Sequence, residues 1–241
     1  MNLEYNKNFH IHKKHKIVII WSAKAACTTV NHMIFEYEGL LENALKYDKW
    51  IHRYRQDYIT KYNKQNRILL SNIPNKNYIQ FCVNPYRRAV SSYLHAMNSN
   101  KNYIGENNRN ISFLFFLRRI LKGDIAPNSH HNKQTFFKNN YDNIYIVKME
   151  NIQNEITSMN QKFNLNYKFK KNENVKTKKK YINYFVGDTK WNYLYDSIPD
   201  DYTLFYNNSI KHLVEKIYHE DIKNLKYTWQ MFIDYERNKY I

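Results

Sequence analysis

The chain has 241 residues, with 38 Lys+Arg against 21 Asp+Glu and a formal net charge of +17. A hydrophobic fraction of 43% and an aromatic fraction of 17% exclude a disordered chain, which needs few aromatics and little apolar surface. With 4 Gly and 4 Pro, collagen, Gly/Ser linkers and turn-dense β-sandwiches are excluded as well, because each depends on those residues. What remains is a helix-containing globular protein with a basic surface, long enough to bury about 70% of its unfolded surface. The charge has two readings. One is an anionic partner; the other is the coding bias that also makes Asn, Ile and Tyr abundant. Only position can separate them.

The two cysteines, Cys27 and Cys82, have no C-x-x-C spacing and build neither a zinc site nor a disulfide framework by themselves, which fits a reducing compartment or two buried thiols. The first sixteen residues are polar and hold no apolar signal core. The longest apolar stretch near them, Ile17 to Trp21, is far short of the ~20 residues a membrane span needs. A soluble, cytoplasmic protein without a transmembrane segment is expected.

Lys16 to Trp21 is the first strong element, a continuous apolar run that reads as a strand buried on both faces. After a short loop, Val30, Met33, Ile34 and Tyr37 recur at i, i+3, i+4 and i+7, which is one face of a helix ending near Gly39. Residues 40–75 read as helical and irregular with many charges. Tyr78 to Val83 is a second buried strand, and Asn84-Pro85 is an N-cap followed by proline at the first helical position. A helix from Tyr86 to about Asn98 follows, then an apolar short helix from Ile111 to Leu121. Asn143 to Lys148 reads as the third strand, and Ile152 to Phe163 as a crossover helix. Ile210, Leu213, Val214, Ile217 and Tyr218 pattern a late amphipathic helix. Lys168 to Lys180 holds seven lysines and reads as a basic loop. Alternating strands and helices with no break in composition predict one α/β domain over 1–241, with 1–15 as an extension.

Strand, tight loop and helix is the geometry that aims backbone N–H groups at an anion. The first such loop is Ser22-Ala-Lys-Ala-Ala-Cys-Thr-Thr29. Its small residues let the backbone approach a ligand, Lys24 adds a point charge, and the Thr28 and Thr29 hydroxyls add donors. The Walker pattern G-x-x-x-x-G-K-S/T is absent, because the loop has no glycine and its lysine does not stand directly before the threonines that open the helix. A nucleotide kinase is therefore disfavoured.

Ala23 to Thr29 resembles the 5′-phosphosulfate loop of sulfotransferases, roughly P-K-x-A/G-C/G/S-T-T/S, at every position except the proline. Val83-Asn84-Pro85-Tyr86-Arg87-Arg88-Ala89-Val90-Ser91-Ser92-Tyr93 resembles the family's second signature, roughly R-D/N-P-Y/F-x-R-x-V-S-x-Y. Ser129 to Gln134 is similar to the H-x-x-x-Q segment of the carbohydrate-type (family 2) members. Tyr141 to Glu150 is similar to their late strand, and Tyr206 to Tyr227, with Val214, Tyr218 and Asp221, to their closing helix.

The resemblance implies a P-loop-like three-layer fold with a central parallel sheet flanked by helices. It implies the donor 3′-phosphoadenosine-5′-phosphosulfate, no metal, and sulfonyl transfer to a hydroxyl or amine of a carbohydrate-like acceptor that a basic surface would suit if anionic. Lys24 would stabilise the leaving oxygen. Ala25, Ala26, Cys27, Thr28 and Thr29 would hold the 5′-phosphate and Ser91 the 3′-phosphate. His130 would be the base, with His131 adjacent to it, and Glu150 a supporting carboxylate. The family's arginine is Val83 here, so Arg88 or Arg87 would substitute for it. The alternatives are a homologue that no longer catalyses transfer and a nucleic-acid-binding protein using the charge and the tyrosines. No nucleic-acid module is recognisable, so no nucleic acid is expected as partner.

Overall fold

The computed structural model describes residues 8–12, 16–59, 77–99, 110–135, 144–169 and 182–239. Several sequence expectations fall partly outside these residues: most of the 1–15 extension, the 170–180 part of the basic loop, residues 60–75, and the start of the third strand at Asn143. Among the described residues the fold is α/β with one four-stranded mixed sheet. The chain divides into two compact units, Met1–Cys82 with Phe136–Asn172, and Val83–Thr135 with Glu173–Ile241.

The first unit contains the whole sheet. Its strands are β1 (Phe9–His12), β2 (Ile17–Trp21), β3 (Asn77–Cys82) and β4 (Ile144–Lys148), side by side in that order. β2, β3 and β4 are parallel, with Ile19 opposite Ile79 and Ile79 opposite Tyr145. β1 runs antiparallel to β2, pairing Phe9 with Ile20 and Ile11 with Val18. The expectation of a purely parallel sheet is thus corrected: an antiparallel edge strand adds to it. β1 is only four residues of alternating Phe, His, Ile and His inside a polar stretch, too short and too mixed for periodicity to reveal. It is found by pairing with β2, where each backbone group gains a partner that an isolated tetrapeptide would lack.

Period-two alternation divides the side chains of the sheet. Ile17, Ile19, Trp21, Ile79, Phe81 and Val147 share one apolar cluster with α1 (Cys27–Tyr37), α2 (Leu41–Tyr47), α3 (Ile51–Tyr54) and Ile156 and Met159 of the helix Ile152–Phe163. Their alternates Val18 and Ile20 pack with Phe9 and Ile11. All five residues of β2 are buried, as a continuous apolar run requires. Behind α3 the chain continues as a π-helical turn, Arg55–Ile59, a rare form that is frequent at functional sites.

The second unit is helical. Its helices are α4 (Pro85–Asn98), α5 (Phe113–Lys122), α7 (Trp191–Leu194), α8 (Asn208–Ile217), α9 (His219–Asn224) and α10 (Trp229–Asn238), while α6 (Ile152–Phe163) belongs to the first. Asn84 caps α4 as the sequence predicts, its side chain accepting from the Tyr86 N–H at 3.1 Å with Pro85 behind it. Tyr93, Phe113, Phe116, Phe205 and Phe232 lie at the centre of this unit's core. No helix among the described residues is long and apolar enough to cross a membrane.

Candidate functional site

In the first unit, β2 ends at Trp21 and α1 begins at Cys27, so five residues make the turn. The Ala25 N–H donates to the Ser22 carbonyl at 3.1 Å and closes it. Lys24 (φ 63°) and Ala26 (φ 55°) both take the left-handed conformation, at about 1 kcal/mol or more each for residues with a Cβ. Left-handed residues in a turn make successive N–H groups converge, the concavity that holds anions. Phosphate loops normally use glycine there; this one carries the strain instead.

Ala26 is the N-cap of α1 and has no side chain to close it. The first bond into the helix is Val30 N–H to the Ala26 carbonyl, so the N–H groups of Cys27, Thr28 and Thr29 precede the ladder at the positive end of the helix dipole. The Cys27 thiol donates to the Ser22 carbonyl at 3.1 Å, and burial pushes its pKa up against the pull of Arg55 and Lys24. It is a protonated stitch across the loop, without the thiolate character of a nucleophile.

Residues that no sequence pattern singles out surround the loop. His52, on α3, lies with Nε2 3.1 Å from the Thr28 hydroxyl and Nδ1 3.1 Å from the Asn31 side-chain nitrogen. Burial, then the charges of Arg55, Lys24 and His32, lower its pKa to about 4, so it is neutral at physiological pH. Arg55, 9% exposed, lies with its guanidinium 5.8 Å from the Trp21 ring centroid. The fold therefore brings Lys24, Arg55 and His52 to the N-terminus of α1, with His32 further along the same helix. No local pattern announces this, because residues 52 and 55 reach the loop only through the turn after α2.

The second unit assembles a different cluster. Arg88, 1% exposed, donates from Nη1 to the Asn132 carbonyl at 2.6 Å and from Nη2 to the Ser129 carbonyl at 3.3 Å. Ser92 donates to the His130 carbonyl, and Tyr218 to the His131 carbonyl at 2.8 Å. The buried Asp221 carboxylate accepts the N–H groups of Gln134 and Thr135, each at 2.8 Å. The Ser129–Gln134 segment is thus held by side chains from α4, α9 and the turn after α8. Arg87 instead donates to Glu236 at 3.1 Å and stacks at 4.7 Å on Tyr235.

His130 stacks on His95 with ring centroids 4.3 Å apart, and its Nδ1 lies 2.7 Å from Asn128 Oδ1. That Asn128 atom also accepts the His130 backbone N–H at 3.0 Å, so it is the amide oxygen, and Nδ1 must carry the proton. The basic lone pair of His130 is then on Nε2. His131 is buried, edge-on to Phe116, with Nε2 2.9 Å from the Ala126 carbonyl. Burial and the Arg88 charge lower its pKa.

Of the residues expected from the sequence, Lys24 and Ala25–Thr29 form one loop in the first unit. Arg88 and His130 share one cluster in the second, with Ser91 half-buried beside Ser92 on α4. Glu150 lies in the short turn Met149–Asn151 that follows β4. No protein-family model matches the chain, and no curated protein or solved structure matches it.

Proposed function

We propose that the chain is a sulfotransferase that uses 3′-phosphoadenosine-5′-phosphosulfate as donor. The observation that carries this reading is the Ser22–Thr29 loop: two left-handed non-glycine residues, an uncapped helix start and a lysine in the turn, on a sequence that resembles the family's own loop. A tolerated left-handed Ala26 in an uncapped N-terminus has a physical reason if the freed N–H groups serve an anion.

The donor supplies an activated sulfonyl group. The acceptor oxygen attacks sulfur in line, the new O–S bond forms as the S–O bond to the 5′-phosphate breaks, and 3′-phosphoadenosine 5′-phosphate leaves. Lys24 would meet the charge that grows on the leaving oxygen, an electrostatic contribution that counts only in the transition state. The N–H groups of 27–29 and the two threonine hydroxyls would hold the 5′-phosphate. Ser91 would serve the 3′-phosphate. His130 has the tautomer a general base requires, with its lone pair on Nε2 to take the acceptor's proton. Arg88 would act through the Ser129–Asn132 carbonyls that it grips rather than by a fork on phosphate. A carbohydrate-like hydroxyl acceptor follows from the family resemblance, and the excess of basic residues suits an anionic one.

The test is a thermal melt with millimolar 3′-phosphoadenosine 5′-phosphate. A raised melting temperature is expected, since a ligand that binds only the folded state stabilises it by mass action. No shift overturns the reading. A second reading, a donor-binding homologue that does not catalyse transfer, draws on Val83 in place of the family's arginine and on the buried Arg88. A shift without transfer to any of a panel of glycans, lipids and small alcohols would favour it.

A further inference from the structure

The bonds around His52 fix the direction of every proton between Asn31 and Thr28. Asn31 Nδ2 lies 2.8 Å from the Cys27 carbonyl, which can only accept, so this atom is the amide nitrogen and not a flipped oxygen. Its second hydrogen faces His52 Nδ1 at 3.1 Å, so Nδ1 must present a lone pair. A neutral imidazole carries one proton, which is then on Nε2 and donates to Thr28 Oγ1 at 3.1 Å. A hydroxyl oxygen that accepts from His52 keeps its own hydrogen for another partner. Thr28 is exposed on the first turn of α1, beside the loop's N–H groups.

We propose that Asn31 and His52 are positioning residues that commit the Thr28 hydroxyl to donating to a phosphate or sulfate oxygen bound at the loop. The chain runs from the Cys27 carbonyl through Asn31 and His52 to Thr28, and it aligns a donor that would otherwise rotate among three rotamers and swap roles with water. The same bonds remove His52 from any role as a general base, since its single lone pair is taken by Asn31. Burial, reinforced by the charges of Arg55 and Lys24, keeps it in this neutral form. The proposal rests on the donor reading above and names residues that reading does not require.

Two ligands distinguish this proposal from that reading: adenosine 3′,5′-bisphosphate, which carries the 5′-phosphate, and adenosine 3′-monophosphate, which does not. With the full chain in isothermal titration calorimetry, His52→Leu and Thr28→Val are each expected to weaken the bisphosphate by about tenfold, the loss of one hydrogen bond to a charged group. The double variant should bind no worse than Thr28→Val alone, and the monophosphate should be unaffected throughout. His52→Gln, which keeps one donor and one acceptor, should restore most of the affinity. Bisphosphate binding indifferent to His52, or additive losses in the double variant, overturns the proposal while the donor reading stands. Wild-type protein that binds neither nucleotide overturns both. Independently of any variant's folding, long-range proton–nitrogen spectra of the wild type should show His52 as the Nε2–H tautomer; an Nδ1–H tautomer overturns the proposal.

Discussion

Gln134 and Val83 form a reciprocal pair: the Gln134 amide donates to the Val83 carbonyl at 2.7 Å while its oxygen accepts the Val83 N–H at 3.0 Å. Gln134 is fully buried and Val83 is 3% exposed, so neither backbone group can turn to water instead. One side chain thus supplies both bonds that a strand neighbour would have given at the residue just after β3. Gln134→Ala strands a buried donor and a buried acceptor, at about 1–3 kcal/mol for each. A loss of about 3 kcal/mol in urea unfolding is expected, and a loss below about 0.5 kcal/mol would show that the pair is dispensable.

Lys24→Ala removes the one lysine of the loop without changing its backbone demands, because alanine meets the same left-handed cost that lysine already bears. Sulfonyl transfer should fall by about a hundredfold to a thousandfold in kcat, the usual cost of one electrostatic group at a developing charge. The melting temperature of the free protein should hardly move. Transfer that survives at a tenth of the wild-type rate or better would remove Lys24 from the chemistry.

Ala26→Gly should stabilise the fold, although glycine in place of alanine destabilises a helix interior. At φ 55° alanine suffers a Cβ clash that glycine lacks, about 1–2 kcal/mol, while glycine adds about 0.4–1 kcal/mol of unfolded-chain entropy. The balance is a gain of about 0.5 kcal/mol, visible as a small rise in melting temperature. A clear fall would mean that the methyl group packs usefully.

Acid should destabilise the first unit through His52. Its folded pKa of about 4 lies below the 6.5 of an unconstrained imidazole, so below pH 6.5 the unfolded chain takes a proton that the folded one refuses. The stability it permits is complete above pH 6.5 and declines as the pH falls toward 4. After solvent screening the decline attributable to His52 is about 2 kcal/mol. His131 shifts in the same direction, so the measurement is the difference between wild type and His52→Gln across that window. Identical pH profiles would show that His52 is protonated as easily as in water.

Much of this was legible in the chain itself. β2 is an unbroken apolar run, as a strand buried on both faces requires, and β3 is apolar but for Asn77 at its exposed start and the buried Gln80. Helix α6 occupies the span that its spacing predicts, and the Asn-Pro start of α4 is capped as those residue types require. The loop was legible because its chemistry is local: a lysine, small residues and two threonines within eight positions. β1 was not legible because a four-residue alternation inside a polar stretch is too short to mark a strand; its pairing with β2 makes it one.

The sequence alone determined the α/β alternation, the strand–loop–helix at Ser22–Thr29 and the net charge of +17, all of which depend on neighbours within a few positions. Only the tertiary structure decided which charges matter. It brought Arg55 and His52 to the loop and gave Arg88 to the Ser129 and Asn132 carbonyls. It also set the tautomers of His52 and His130, through Asn31 and Asn128. The physical reason is that a proton's position depends on what lies within about 3 Å of it, and across a turn or between helices no sequence spacing encodes that distance.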